Sequence, residues 1–178
     1  RFIGEGSLGA RYGIVNYLNT PGYYLPFAKV IDTTTILIEN IARSVDGMGA
    51  FIDVFPIDGM GNSIEEAQKI IARGRGLFRC GNYCASRFSD GVSLRTLAKN
   101  TLIVGSMLTR RIFFDLLRNY GKRHSLENSK YAGVIFGFYN DREIMRSSFF
   151  RSNSVIEFEG ERFNAPICYD AYLKNMYG

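Results

Sequence analysis

The stretch Phe51-Ile52-Asp53-Val54-Phe55-Pro56-Ile57-Asp58-Gly59 sets how the chain is organised. Ala50 to Phe55 is rich in strand formers, and Pro56 stops the run because it cannot donate to a ladder. Side chains alternate along a strand, so Phe51, Asp53 and Phe55 share one face. A carboxylate flanked there by two rings is costly to bury unless a cation, a metal or strong donors meet it. Two roles are open to Asp53: a metal-binding or general-base aspartate at a cleft, or a structural carboxylate paired with Arg or Lys. Asp58 precedes Gly59, and Asp-Gly is a common turn pair.

Upstream, two further strands are expected. Tyr12 to Leu18 reads as one, ended by the turn signal Asn19-Thr20-Pro21-Gly22. Phe27 to Asp32 reads as the next, and Thr33 to Ile38 continues extended, being β-branched almost throughout. Lys29 shares a face with Phe27 and Ile31. It can pair with Asp53 or hold a phosphate. Asp32 ends the strand as a candidate turn acceptor or substrate-binding residue.

Downstream the chain turns helical. Ser63 and Glu66 form a capping box, predicting a helix to about Arg73 that either breaks at Gly74 and Gly76 or continues to Cys84. Ser93 opens a long helical stretch to Tyr120, closed by Gly121. Leu94, Leu97, Ala98, Thr101, Val104 and Leu108 fall on one broad face. Ile112, Phe113, Phe114, Leu116 and Leu117 cover nearly all sides, which predicts burial of the second half. Beyond it, Tyr131 to Tyr139 reads as a strand and Asn140 to Glu143 as a short helix. Ile156 to Phe163 reads as a hairpin turning at Glu159-Gly160, and Cys168 to Tyr177 as a last helix. The zones are 1–59 strand-rich, 60–125 helical and 126–178 mixed, within one domain.

Composition bounds the rest. The chain has 178 residues, 46% hydrophobic and 22% charged, which suits a globular core and excludes a disordered tail or a fibre. Three cysteines are too few for a disulfide scaffold, so a reducing, cytoplasmic setting is expected. No apolar run is long enough to span a bilayer, and Arg1 to Gly9 lack a signal-peptide core. The chain starts without Met, as an internal piece of a longer one would. Net charge is +5 but uneven: Lys69 to Arg123 holds twelve basic residues and two acids, Asp90 and Asp115. That segment either faces phosphates or an anionic membrane, or is a solvated helical surface. No nucleic-acid motif accompanies it, so no nucleic acid is expected as a partner.

Other chemistry is thin. Cys80 and Cys84 stand one helical turn apart, but only Cys168 and His124 could join them on zinc, so they read as buried thiols. His124, in a basic loop, reads as a surface residue. Nucleophile-elbow, P-loop and dinucleotide fingerprints are absent, and Gly4-Glu5-Gly6-Ser7-Leu8-Gly9 matches the last only in spacing.

Pro21-Gly22-Tyr23-Tyr24-Leu25-Pro26-Phe27-Ala28-Lys29-Val30-Ile31-Asp32-Thr33, followed by the Phe51–Gly59 run, resembles the LicD family of phosphocholine transferases and fukutin-type enzymes. Phe158-Glu159-Gly160, Phe163, Pro166, Tyr169 to Leu173 and Tyr177-Gly178 are similar to that family's ending. The resemblance implies an α+β, nucleotidyltransferase-like mixed sheet with a basic helical insertion. It implies Mg²⁺ (or Mn²⁺)-dependent transfer of phosphocholine or a polyol-phosphate from a CDP-linked donor such as CDP-choline. The acceptor would be a glycan or lipid-linked glycan, of the lipopolysaccharide or teichoic acid kind. The family's Trp-Asp-x-Asp-x-Asp cluster does not occur in this chain and would fall before Arg1. Asp53 matches the third carboxylate, as metal ligand or base, and Lys29, Asp32 and Asp58 are the candidate substrate-binding residues. Residues 1–178 alone are then expected to show no transfer, the full-length protein being the enzyme. The alternative is a catalytically incomplete module that binds a glycan or anionic lipid. Attachment, if any, would be peripheral, at the inner face of the membrane.

Overall fold

In the computed structural model, which describes residues 9–38, 45, 47–81 and 85–178, the turn chemistry of the first strands is what sets their limits. Strand β1 (Tyr12–Val15) ends earlier than its apolar run because Asn16 and Asn19 take over the backbone. Asn19 Oδ1 accepts from Asn16 N–H at 2.9 Å, and Asn19 Nδ2 donates to the Ile14 carbonyl at 2.8 Å. Strand β2 (Ala28–Asp32) likewise stops at its aspartate. Asp32 Oδ1 accepts from Thr34 N–H at 3.0 Å and from its hydroxyl at 2.6 Å, so Thr33 to Thr35 turn instead of extending as their β-branching predicts.

Strand β3 (Phe51–Val54) completes an antiparallel sheet of order β1-β2-β3, with Val15 opposite Lys29 and Lys29 opposite Asp53. Val15, Tyr23, Ile31 and Met48 form its core, joined by Tyr17, Leu25, Val45 and Phe51. Two compact units divide the chain, the first from residues 1–55 and 77–118, the second from 56–76 and 119–178. Helix α1 (Ile64–Gly81) runs through Gly74 and Gly76, so neither breaks it. Helices α2 (Leu94–Leu108) and α3 (Arg110–Gly121) follow, parted at Thr109. Within the first unit Phe114 meets Tyr17 at 5.2 Å between ring centroids, and Arg110 donates to the Tyr23 carbonyl at 3.2 Å. The apolar face of α2 is turned to solvent: Leu94, Leu97, Val104 and Leu108 are exposed and Ile103 is the buried residue. The expected burial of the second half is partial: of the apolar side chains of α3, Phe114 and Leu117 are buried and Phe113 half-buried, with Ile112 and Leu116 exposed.

The second unit holds β4 (Asp58–Gly59), β5 (Tyr131–Gly133) and β6 (Met145–Arg146) in a small antiparallel sheet. A hairpin of β7 (Asn153–Phe158) and β8 (Glu161–Pro166), and a last helix α4 (Tyr169–Tyr177), complete it. Glu159 and Gly160 both take positive φ, as a two-residue turn between right-twisted strands requires. The chain is α+β, and all its described strand pairings are antiparallel, not the expected mixed sheet. The helical stretch between β4 and β5 builds no parallel crossover, since those two strands run in opposite directions.

Close backbone approach governs this unit. A Cβ on Gly59 would meet Ser129 Oγ at 2.5 Å and the His124 carbonyl at 2.6 Å, so Asp58-Gly59 is a strand pair against a loop and not a turn. A Cβ on Gly74 would lie 2.5 Å from Ile135 Cγ2, and one on Gly133 would overlap the Glu143 carbonyl. For the same reason β5 ends at Gly133: Val134, Ile135 and Phe136 are buried in a turn where a strand to Tyr139 was expected. Ser129 and Arg151 tie the loop before β5. Ser147 donates to the Ser129 carbonyl at 2.6 Å, and the Arg151 guanidinium reaches the carbonyls of Leu126, Glu127 and Ser129.

Two glycines separate these effects experimentally. Gly133→Ala should cost at least about 3 kcal/mol, because the methyl meets backbone that cannot step aside. Gly76, which has open space around its would-be Cβ in the middle of α1, should gain about 0.5–1 kcal/mol as alanine. Thermal melts of the two variants are expected to shift in opposite directions.

Candidate functional site

Strand alternation puts Lys29 and Ile31 on the inner face of β2 and Phe51 and Asp53 on the inner face of β3. The register then sets Lys29 directly opposite Asp53. Lys29 is only 5% exposed, and its Nζ lies 2.8 Å from Asp53 Oδ1. It also sits 3.0 Å from the centroid of the Phe51 ring and 6.0 Å from that of Phe27. Phe27 in turn packs on Phe55 at 4.3 Å. A desolvated ammonium is thus met by a carboxylate and by a ring face, both of which favour its charge.

The two oxygens of Asp53 are not equivalent. Oδ1 is buried and accepts no hydrogen bond, so its contact with Lys29 is electrostatic and not an aligned donor–acceptor pair. The Asp53 side chain as a whole is 30% exposed, against 6% for Lys29, so solvent reaches the pair from the Asp53 side.

The other candidates have different surroundings. Asp32 falls an odd number of residues from Lys29 and so on the opposite side of β2. It is held by Arg11 at 2.6 Å and by Thr34, and these bonds keep its carboxyl far below the usual carboxylate range. Asp58 belongs to the second unit, against Gly121 of α3. Burial raises its pKa, and Lys122 opposes the shift. Among the described residues no three Asp, Glu, His or Cys side chains stand close enough to share a metal ion. Asp53 brings one carboxylate, and the space beside its buried oxygen already holds an ammonium. These residues do not by themselves fit Mg²⁺ or Mn²⁺, which take oxygen ligands in number.

Cys84 and the Cys80 side chain lie outside the described residues, and Cys168 is a free, half-buried thiol. His124 is half-buried. The twelve basic residues of the central segment are shared between the two units, with Lys69, Arg73, Arg75, Lys122 and Arg123 in the second.

One group has no counterpart in the sequence reading. Glu143, in the 3-10 turn Asn140–Glu143, is only 5% exposed. Its carboxylate lies under Gly137, and Oε1 accepts from Tyr139 N–H at a long 3.5 Å. The turn is clamped to α4: Arg142 donates to the Met176 carbonyl at 3.2 Å, and Asn175 donates to the Arg142 carbonyl at 2.7 Å. Burial raises the Glu143 pKa; burial also raises that of Tyr172, and the Glu143 charge adds to it. The spacing of Gly133 and Gly137 signals that something approaches closely there, but not that it is a carboxylate.

No family model, curated protein or solved structure matches the chain. The geometry of Lys29 and Asp53 is therefore weighed on its own chemistry.

A double-mutant cycle should register the pair. Asp53→Asn strands a buried ammonium and is expected to cost about 3–4 kcal/mol, while Lys29→Met leaves a half-exposed carboxylate and costs about 2 kcal/mol. The double variant should recover roughly 1–3 kcal/mol of the summed loss. Simple additivity in urea melts would show that the two charges are not coupled.

Glu143 makes a pH-dependent prediction. Folded protein holds its proton more tightly than the unfolded chain, so the stability this group permits is full below the ordinary carboxylate range. It falls as pH rises from that range through the raised folded value, and is level above. Glu143→Gln removes that loss. Its melting temperature should exceed that of the parent near pH 7, and the gap should close toward about pH 4. A gap independent of pH would assign the effect to packing instead.

Proposed function

We propose that the chain takes part in transfer of a phosphorylated head group from a CDP-linked donor to a glycan or lipid-linked glycan, on a nucleotidyltransferase-like scaffold. The reading rests on the resemblance of residues 21–33, 51–59 and 158–178 to the LicD family. The observation that supports it most directly is the Lys29–Asp53 pair, a partly exposed carboxylate beside a desolvated cation. In this reading a donor phosphate approaches from the exposed side of the pair and draws Lys29 toward itself, which frees Asp53. Asp53 then takes the proton of the acceptor hydroxyl as the new O–P bond forms and the bond to the departing CMP breaks. These are the roles proposed for Lys29 and Asp53 themselves; a divalent cation of the kind the resemblance implies would need carboxylates besides Asp53.

A second reading, a catalytically incomplete module binding a glycan or anionic lipid, is favoured by one observation. The charge of Asp53 is already answered by Lys29, as in a structural pair.

Donor binding separates them. Calorimetric titration of the 178-residue chain with CDP-choline in Mg²⁺ buffer should give a saturable signal. Lys29→Met should weaken it about tenfold or more, with thermal melts confirming the fold. Asp53→Asn should leave donor affinity within a few-fold, because its proposed work is on the acceptor. Absence of donor binding, or full binding by Lys29→Met, would favour the incomplete module.

A further inference from the structure

Helix α2 turns its apolar stripe outward. Leu94 and Leu108 are 84% and 81% exposed, and Leu97 and Val104 between them are exposed as well. They recur at steps of three, seven and four residues, the spacing of one helical face about 20 Å long, with exposed Thr101 inside the seven-residue step. The side that rests on the protein is narrow: Ile103 is sealed, and Thr96, Asn100 and Met107 are half-buried. Helical hydrogen bonding passes through Thr109, which donates to the Gly105 carbonyl at 3.1 Å and accepts from Phe113 N–H at 3.0 Å. Exposed Ile112 and Leu116 then extend the same row into α3. An exposed aliphatic row of this length, interrupted at Thr101, is unusual on a soluble surface and marks an interaction site.

Charge identifies the occupant. Arg95, Lys99, Arg110, Arg111 and Arg118 lie on these helices against Asp115 alone. Arg110 is engaged with the Tyr23 carbonyl, and Asp115 already meets Arg118 at 3.3 Å and the Tyr17 hydroxyl at 3.2 Å. Lys99 falls on the Ile103 side of α2 and donates to Ser89 Oγ at 2.6 Å, while Arg95, Arg111 and Arg118 remain exposed beside the row. A second copy docked through the same row would bring like charges together around it. An anionic lipid surface meets both features, taking aliphatic side chains at the headgroup–acyl boundary and cations on its phosphates. Among the described residues no helix is long and apolar enough to cross a membrane, so these helices would lie along it.

We propose that the exposed row Leu94, Leu97, Val104, Leu108, Ile112 and Leu116, flanked by Arg95, Arg111 and Arg118, docks the chain onto anionic lipid headgroups. The inference stands on the helices alone and is independent of any transferase activity.

Sedimentation with vesicles tests it. The 178-residue chain should pellet with equimolar phosphatidylserine–phosphatidylcholine vesicles and scarcely with phosphatidylcholine alone, less so at high salt. Leu94→Gln with Leu108→Gln, both on outward side chains, should keep the parent melting temperature and lower partition about tenfold or more. Arg95→Gln and Arg111→Gln should each lower it about fivefold. Equal partition to both vesicle types, or to neither, overturns the proposal. So does full binding by the double leucine variant, or a concentration-dependent dimer that this variant disperses, which would give the face to a second copy.

Discussion

A lysine on the inner face of a small sheet must have its charge answered, and much of the first unit is arranged around that need. Lys29 cannot reach water, so Asp53 has to stand directly across the ladder and Phe51 has to lend its ring face. This fixes the register between β2 and β3 more strictly than apolar packing would. A slip of one residue would turn the lysine and the aspartate to opposite faces and leave the ammonium against Ile52 or Val54. The same arrangement accounts for the inverted appearance of β3, whose charged residue faces inward while Ile52 and Val54 face out.

In the second unit the corresponding constraint is space. Gly59, Gly74 and Gly133 each stand where a side chain would strike a neighbour, so backbone and helix pack at distances only glycine allows. Gly74 shows how this overrides local preference. A helix-breaking residue is kept inside α1 because Ile135 occupies the position of its missing methyl. Gly76, two residues on, has no such neighbour and simply carries the propensity cost.

Patterns that are local in sequence were legible from it. Ser63 caps the helix as expected, with Glu66 N–H donating to Ser63 Oγ at 3.1 Å, though the Glu66 carboxylate reaches back to Asn62 N–H and not to Ser63; the Glu159-Gly160 hairpin forms at its turn pair, and the last helix begins one residue after Cys168. Alternation also put Phe51 and Asp53 on one face and left Lys29 able to meet the aspartate. What failed depended on partners distant in the chain. Thr33 to Thr35 have strand formers' side chains, yet the Asp32 carboxylate bends them. Val134 to Phe136 read as strand, yet the segment turns so that Ile135 can meet Gly74. Glu143 was invisible because an Asn-Asp-Arg-Glu sequence looks like an exposed helix start until Gly133 and Gly137 are folded over it.

The face of α2 shows the deepest limit of such reading. Periodicity establishes that Leu94, Leu97, Val104 and Leu108 share a side, but a periodic apolar face is equally the mark of a core helix and of a helix that meets something outside the fold. Composition of the flanks breaks the tie. A core-facing helix of an ordinary domain carries mixed charge on its outer side, whereas these helices carry five cations and one already engaged carboxylate. The first unit thus buries a compensated charge and exposes uncompensated apolar surface, the reverse of what burial energetics alone selects. Each half of that inversion has a physical account. The ion pair is tolerated inside because its partners are fixed by the ladder, and the leucines are tolerated outside if a surface of opposite charge covers them.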